Sequence, residues 1–302
     1  MKPTKTLWRI SVATSPEAED AVAETLGELF GVAAASYLNL ETSVSTVSVF
    51  RDQKPDVRKV RAEVTARLRG IEDCGLNTGA GTIEIASVKR EDWAESWKKH
   101  FHPLEIGRDL LVKPSWSKRR AFKNQVVVVL DPGLSFGTGQ HPTTSFCLHE
   151  LVHYRKNGTL QSFLDIGTGS GILAIAAVKL GYQPVHAFDF DPESVRVARA
   201  NAESNDVLEK IKLTQEDATR LPLRPARRYD LVCANLISNL LVAERKRIIA
   251  QLNRGGTLVL AGILQTEFAM VRAAFAELGW ILARTEARNE WQSGAFTSEK
   301  KD

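Results

Sequence analysis

Long hydrophobic runs are missing from this 302-residue chain. A spanning helix needs about 20 consecutive apolar residues, and no stretch approaches that length, which speaks against membrane insertion and a membrane partner. Met1-Lys2-Pro3-Thr4-Lys5 leads straight into strand-like sequence instead of a signal-peptide core, so a cytosolic protein is expected. Cysteine is scarce. Cys74, Cys147 and Cys233 stand far apart without metal-ligand spacing, so no metal site is expected and all three are read as reduced thiols in apolar surroundings. Charge of one sign is nearly absent in excess: the formal net charge is +4, and 43% hydrophobic with 25% charged residues is ordinary for a globular chain. Two short basic clusters, Lys118-Arg119-Arg120 and Arg224 through Arg228, are read as solvated loops rather than a nucleic-acid patch.

The first 90 residues also lack something. They contain no histidine and no cluster of acids facing a common pocket, so nothing there looks catalytic. They read instead as a small α+β unit. Trp8 to Val12 alternates as a strand, and Ala18, Val22, Leu26 and Leu29 fall on one helical face that Gly31 ends. Strands near 34–38 and 44–50, a helix from about Asp56 to Leu68 and a strand over Thr82 to Val88 complete a βαββαβ order, the ferredoxin-like arrangement. Residues 91–120 are unusually aromatic. Trp93, Trp97 and Phe101 recur every four residues on one expected helical face, which is read as a packing surface of a connector between two domains.

From 121 to 302 the pattern is that of a core α/β domain. Strands near 163–167, 184–189, 210–214, 230–234 and 257–262 alternate with helices near 170–180, 192–204, 239–252 and 266–278, which predicts a parallel, doubly wound sheet with its ligand at the carboxyl ends of the strands. The most informative run is Phe163-Leu164-Asp165-Ile166-Gly167-Thr168-Gly169-Ser170-Gly171-Ile172-Leu173. Glycines stand where the backbone must turn sharply and lie against a ligand. Asp189 closes the next strand, where an acidic side chain holds a ribose. A dinucleotide fingerprint G-x-G-x-x-G wants glycine or alanine where this chain has Ile172. The spacing G-x-G-x-G, with a carboxylate roughly 20 residues on, resembles the S-adenosylmethionine loop of the seven-strand methyltransferases. Two alternatives stay open at this point: a turn that binds nothing, and a nicotinamide site.

Three further stretches carry a closer resemblance. Asp131-Pro132-Gly133-Leu134-Ser135-Phe136-Gly137-Thr138-Gly139-Gln140-His141-Pro142-Thr143-Thr144 resembles the pre-loop signature of the bacterial methyltransferases of large-subunit ribosomal protein eleven. Val232-Cys233-Ala234-Asn235-Leu236-Ile237 and the closing Asn289-Glu290-Trp291 are similar to that family as well. The resemblance extends over nearly the whole chain. Only the basic, Pro-containing stretch Leu221 to Arg228 departs from the expected pattern. It implies a Rossmann-like seven-strand methyltransferase domain preceded by a ferredoxin-like substrate-recognition domain. It also implies transfer of methyl groups from S-adenosyl-L-methionine to lysine or amino groups of that ribosomal protein. A monomer with no required nucleic-acid contact is expected.

On this resemblance, residues take roles. Gly167 and Gly169 let the backbone approach the cofactor, Asp189 accepts both ribose hydroxyls, and Thr144 bonds the methionine portion. Asp217 is a weaker candidate for the adenine amino group, since an Asp after a strand is commonly a turn or cap residue. Asn235, assigned to both the cofactor and the nucleophile, has a side-chain oxygen that accepts from an amine, against the alternative of a helix cap. His141 takes the leaving proton or merely packs its loop. Trp291 either walls the acceptor channel or belongs to the core. Competing classes have weaker support. This chain lacks the catalytic Tyr-x-x-x-Lys or His–acid pair of a dehydrogenase, and exocyclic-amine methyltransferases of nucleic acids carry Asn-Pro-Pro-aromatic where this chain has Asn235-Leu236-Ile237-Ser238. A non-catalytic cofactor-binding scaffold is disfavoured by Asn235 and His141. A lysine methyltransferase with another protein target, such as electron-transfer flavoprotein, is the nearest rival.

Overall fold

The computed structural model describes residues 6–32, 34–39, 42, 44–89, 103–131, 141–156 and 158–298. Two compact units divide the chain, Met1–Phe101 and His102–Asp302.

In the first unit, β1 (Thr6–Thr14), α1 (Glu19–Phe30), β2 (Ala35–Asn39), β3 (Val44–Arg51), α2 (Val57–Asp73) and β4 (Thr82–Lys89) form an antiparallel sheet of order β2-β3-β1-β4. Alternation dictates its core. Ile10 and Val12 of β1 and Val47 and Val49 of β3 point to one face and are fully buried beneath Val22 and Leu26 of α1 and Val60, Val64 and Leu68 of α2. The four-residue spacing on α2 makes that stripe, and the Asp56 carboxylate caps the helix by accepting the N–H groups of Arg58 and Lys59 at 3.0 and 3.2 Å. The helix runs one turn past Leu68 because Ile71 continues the buried face.

The second unit opens with a small sheet whose first two strands fall in the stretch expected to be the connector and whose third falls in the expected core domain. β5 (Leu104–Ile106), β6 (Leu110–Lys113) and β7 (Val126–Val129) lie in that order. Trp93, Trp97 and Phe101 lie outside the described residues. Then follow α3 (Pro142–His153), β8 (Phe163–Ile166), α4 (Ile172–Leu180), β9 (Val185–Asp189), α5 (Pro192–Ser204), β10 (Ile211–Gln215), β11 (Tyr229–Asn235), α6 (Ser238–Ala243), α7 (Arg245–Ala250), β12 (Leu252–Leu264), α8 (Gln265–Ala276), β13 (Trp280–Arg288) and β14 (Trp291–Ser298). Their sheet has the order β10-β9-β8-β11-β12-β14-β13, parallel apart from the antiparallel β13–β14 hairpin, which adds to β12.

This sheet is covered on both sides, as a parallel sheet requires. Phe163 and Cys233 face a layer that includes Phe146, Leu148, Ile175 and Tyr182, while Leu164, Ile166 and Val232 face one that includes Phe268, Phe275 and Phe296. Chain order reverses beside β8, whose neighbours are β9 and β11, and that reversal opens a crevice at the carboxyl ends. Two of the cysteines meet in the first layer. Burial foremost, then a hydrogen bond with Cys147, pushes the Cys233 thiol well above its ordinary range. Cys74, expected in apolar surroundings, is exposed at the end of α2.

Candidate functional site

The carboxyl ends of β8, β9 and β11 bring the sequence-predicted residues together. Leaving β8, the chain passes through Gly167 at φ 75° and Gly171 at φ 81° before α4 begins. At Gly167 the left-handed conformation disfavours any side chain, and a Cβ would stand 2.6 Å from Leu236 Cδ2, so that side-chain tip would have to shift. Between them, the Gly169 N–H donates to Asp189 Oδ2 at 2.9 Å, and the Asp191 N–H donates to the other oxygen at 3.1 Å. Each Asp189 oxygen keeps a second lone pair for a ligand hydroxyl.

Beneath the loop lies Asp165, which sequence reasoning passed over as part of an apolar strand. It is fully buried; Thr168 Oγ1 donates to its Oδ2 at 2.7 Å. Burial pushes its carboxyl up to about 7, against the Thr168 hydrogen bond and with help from the Asp189 charge.

Asn235 ends β11, paired in register with Ala261 of β12. Its side chain makes no hydrogen bond among the described residues. Nor does it cap the following helix, because the N-cap of α6 is Ile237. A second glycine that sequence reasoning missed shapes this turn: a Cβ on Gly262, at φ 79°, would stand 3.0 Å from Asn235 Oδ1 and 2.7 Å from the Leu236 carbonyl oxygen. Gly167 and Gly262 thus both abut the Asn235-Leu236 turn.

His141 stands at the N-terminus of α3, with Nδ1 2.7 Å from Thr143 Oγ1 and its ring edge-on to Trp291 at 5.1 Å. Burial lowers its pKa from the ordinary imidazole value, opposed by the Glu290 charge. Trp291 is fixed in turn, its Nε1–H donating to Glu290 Oε1 at 2.8 Å and its backbone beside Leu264 at the end of β12. Thr144 is buried, and its hydroxyl has no hydrogen-bond partner among the described residues. Residues 132–140 of the signature loop lie outside the described residues. Asp217 behaves as the bland reading expects, capping a short 3-10 turn through the Thr219 N–H at 2.8 Å.

The profile of the family described as "Ribosomal protein L11 methyltransferase (PrmA)" matches residues 6–299. The chain belongs to the ribosomal protein L11 methyltransferase family. Among its relatives, the ribosomal protein L11 methyltransferase of Pelobacter propionicus is 36% identical over 287 residues, covering 90% of this chain and 91% of that one. The namesake from Streptococcus agalactiae serotype Ia is 31% identical over 304 residues, covering 95% and 94%. The crystal structure of ribosomal protein L11 methylase from Lactobacillus delbrueckii subsp. bulgaricus is 30% identical with a TM-score of 0.58, covering 66% of this chain and 99% of that one.

For a methyltransferase of this family, one more exposed residue gains meaning. Phe190, 74% exposed, directly follows Asp189. An aromatic ring left in water beside the Asp189 carboxylate is free to stack on a flat group, and the D-F-D order of Asp189-Phe190-Asp191 was the signal that could have found it.

The buried carboxyl yields a pH prediction. With its pKa raised from 3.8 to about 7, Asp165 keeps a proton in the folded chain over a range where the unfolded chain releases it. Stability from this group is therefore full below pH 4 and lost as pH rises toward 7. Relative to Asp165→Asn, wild type should lose about 1.4 kcal/mol of unfolding free energy per pH unit across that window. Urea titrations at pH 4.5 and 6.5 measure it, and parallel stability curves would refute the raised pKa.

Proposed function

We propose that this methyltransferase transfers methyl groups from S-adenosyl-L-methionine to lysine or terminal amino groups of ribosomal protein L11, in the cytoplasm where that protein is made and assembled. Three observations fit the cofactor: the buried Thr144 hydroxyl without a partner among the described residues, the bare left-handed backbone at Gly167, and the second lone pairs of the Asp189 carboxylate. Gly167 and Gly169 present backbone, Asp189 accepts the ribose hydroxyls, Thr144 holds the methionine portion and Phe190 lies against the base. When bound, S-adenosyl-L-methionine supplies a methyl carbon on a sulfonium centre, open to in-line displacement by a nitrogen lone pair.

The chain's own residues then have to orient the amine and remove its proton. An ordinary lysine has a pKa of about 10.4, so presenting it neutral at pH 7 costs roughly 4 kcal/mol. Apolar surroundings from Leu236 and Trp291 lower that cost by disfavouring the ammonium form. Asn235 Oδ1 accepts an N–H of the amine and aims its lone pair, which matters because displacement tolerates little misalignment. His141, whose burial favours the neutral imidazole, receives the proton released as the nitrogen gains its methyl group. The first unit, without chemistry of its own, selects the target protein, since a flexible lysine offers the site little shape to recognise. Its deletion would separate target selection from cofactor binding.

The observation that carries this reading is the uncommitted Asn235 side chain, held beside the glycine loop by a turn that two glycines make possible. Two substitutions should give different signatures. Asp189→Ala should weaken cofactor binding by at least ~2 kcal/mol, because hydrogen bonds to an ionised acceptor are worth roughly 1.5–3 kcal/mol each. Calorimetry with unchanged affinity in a folded variant would remove Asp189 from the site. Asn235→Ala should leave that affinity nearly intact while lowering turnover by on the order of 10². Near-normal turnover on L11 at saturating cofactor and acceptor would sink the role given to Asn235.

A further inference from the structure

The sheet of the second unit has another end, where the strands begin, and basic residues far apart in sequence converge there. The chain enters β8 through residues 154–162 and β11 through residues 221–228. Asp230 ties these entries together. Its Oδ2 accepts the backbone N–H and the hydroxyl of Ser162, both at 2.8 Å, and its Oδ1 accepts the Asn253 side-chain amide at 2.8 Å. Burial works against this carboxylate, but those hydrogen bonds and the Lys156 charge hold it below its ordinary range. Lys156 therefore stands close to the start of β11, where Arg227 and Arg228 immediately precede Tyr229. Arg227 in turn acts electrostatically on Tyr229 and on His186 of the neighbouring β9, and Arg155 on Tyr182.

Arg155, Lys156, Arg224, Arg227 and Arg228 are all exposed. None of the five forms an ion pair among the described residues, whereas Arg196, Arg247 and Arg284 elsewhere in the unit sit on Glu193, Glu244 and Glu150. The other basic cluster of the sequence is different as well, since Arg119 pairs with Glu105 and lies over Phe122 at 5.2 Å. Asp230 already has its oxygens committed, and Glu216, whose charge acts on Tyr229 and His186 beside that of Arg227, is engaged by Thr214 at 2.7 Å and lies 3.5 Å from His186 Nε2. A cavity of about 230 Å³ opens at the same end, lined by Arg155, Lys156, Thr159, Gln161, Gly181 and Tyr182. The reading of Arg224 to Arg228 as a merely solvated loop leaves unpaired cations gathered from two distant segments unexplained.

We propose that this end of the methyltransferase unit is a docking surface for the phosphate backbone of folded RNA, with the Arg155–Lys156 cavity receiving a phosphate. The choice of RNA among polyanions rests on the proposed function, because a ribosomal protein works against RNA. Unpaired arginines suit it, as their planar forks bind phosphate oxygens in pairs. The surface lies opposite the loop of Gly167 and Asp189, so docked RNA leaves the carboxyl ends of the strands open. Methyl transfer to the free protein does not need it.

The test uses the full chain and a fluorescein-labelled RNA hairpin, with anisotropy followed from 50 to 250 mM salt. Wild type should bind with strong salt dependence. The triple substitution R224A/R227A/R228A should lower the slope of log affinity against log salt by about 2 to 3, near 0.9 per lost phosphate contact, and weaken binding at least about tenfold at 0.1 M salt. R155A/K156A should lower the slope by about 1 to 2. Both variants should methylate free L11 at the wild-type rate, a readout that fails separately if the proposed function is wrong. Equal affinity and slope in variants and wild type would overturn the proposal. So would displacement of the hairpin by 10 mM inorganic phosphate at constant ionic strength, which would make this a small-anion site. Equal loss of binding to phosphatidylserine vesicles, with no preference for RNA, would overturn it in favour of a membrane surface.

Discussion

The hydrogen bond from the Gly169 N–H to the Asp189 carboxylate is the contact on which the site depends. It joins the loop leaving β8 to the last residue of β9, and Gly167 packs the same loop against Leu236 beyond β11. Three adjacent strand ends are thereby fixed relative to one another at the reversal of chain order. A parallel sheet alone would bring those ends near each other. The loop turns proximity into a cradle, and it does so with backbone, because Gly167 holds a left-handed conformation in which a Cβ would press on Leu236.

Burying polar groups beneath this cradle is costly unless they are partnered. Asp165 meets the cost by keeping its proton near neutral pH, and Thr168 supplies one hydrogen bond. Thr144 stays without a partner among the described residues. His141 and Trp291 stand at the same end, brought together by α3 and by the β14 strand that pairs with β12.

Much of this was legible in the sequence, for identifiable reasons. The strands β8, β9 and β11 are nearly continuous apolar runs bounded by glycine or acid, so their place and the ligand end could be read directly. The order of the first unit followed from period-2 and period-3.6 patterns that alternate cleanly. The short sheet of β5, β6 and β7 could not be read, because strands of three or four residues carry too little alternation to stand out. β12 begins earlier than expected, at Leu252, since Gly255 and Gly256 look like a break and only pairing with β11 keeps the segment extended. Asn235 before a helix looks like a cap in any sequence; only the observed N-cap at Ile237 separates the two readings. The meeting of Cys147 with Cys233, and of Gly262 with Asn235, is tertiary and leaves no local signal. The same holds for the joining, through Asp230 and Ser162, of the two basic strand entries at the far end of the sheet.

The claim at the centre of this account is that the chain's backbone at Gly167 must stay bare for a methyl donor to bind. Isothermal calorimetry of S-adenosyl-L-methionine against Gly167→Ala, with circular dichroism to establish that the variant is folded, addresses it directly. The account predicts a folded protein whose cofactor affinity is lower by at least about 100-fold, since the added Cβ enters a left-handed turn already in contact with Leu236. A folded variant that binds S-adenosyl-L-methionine as tightly as wild type would contradict it.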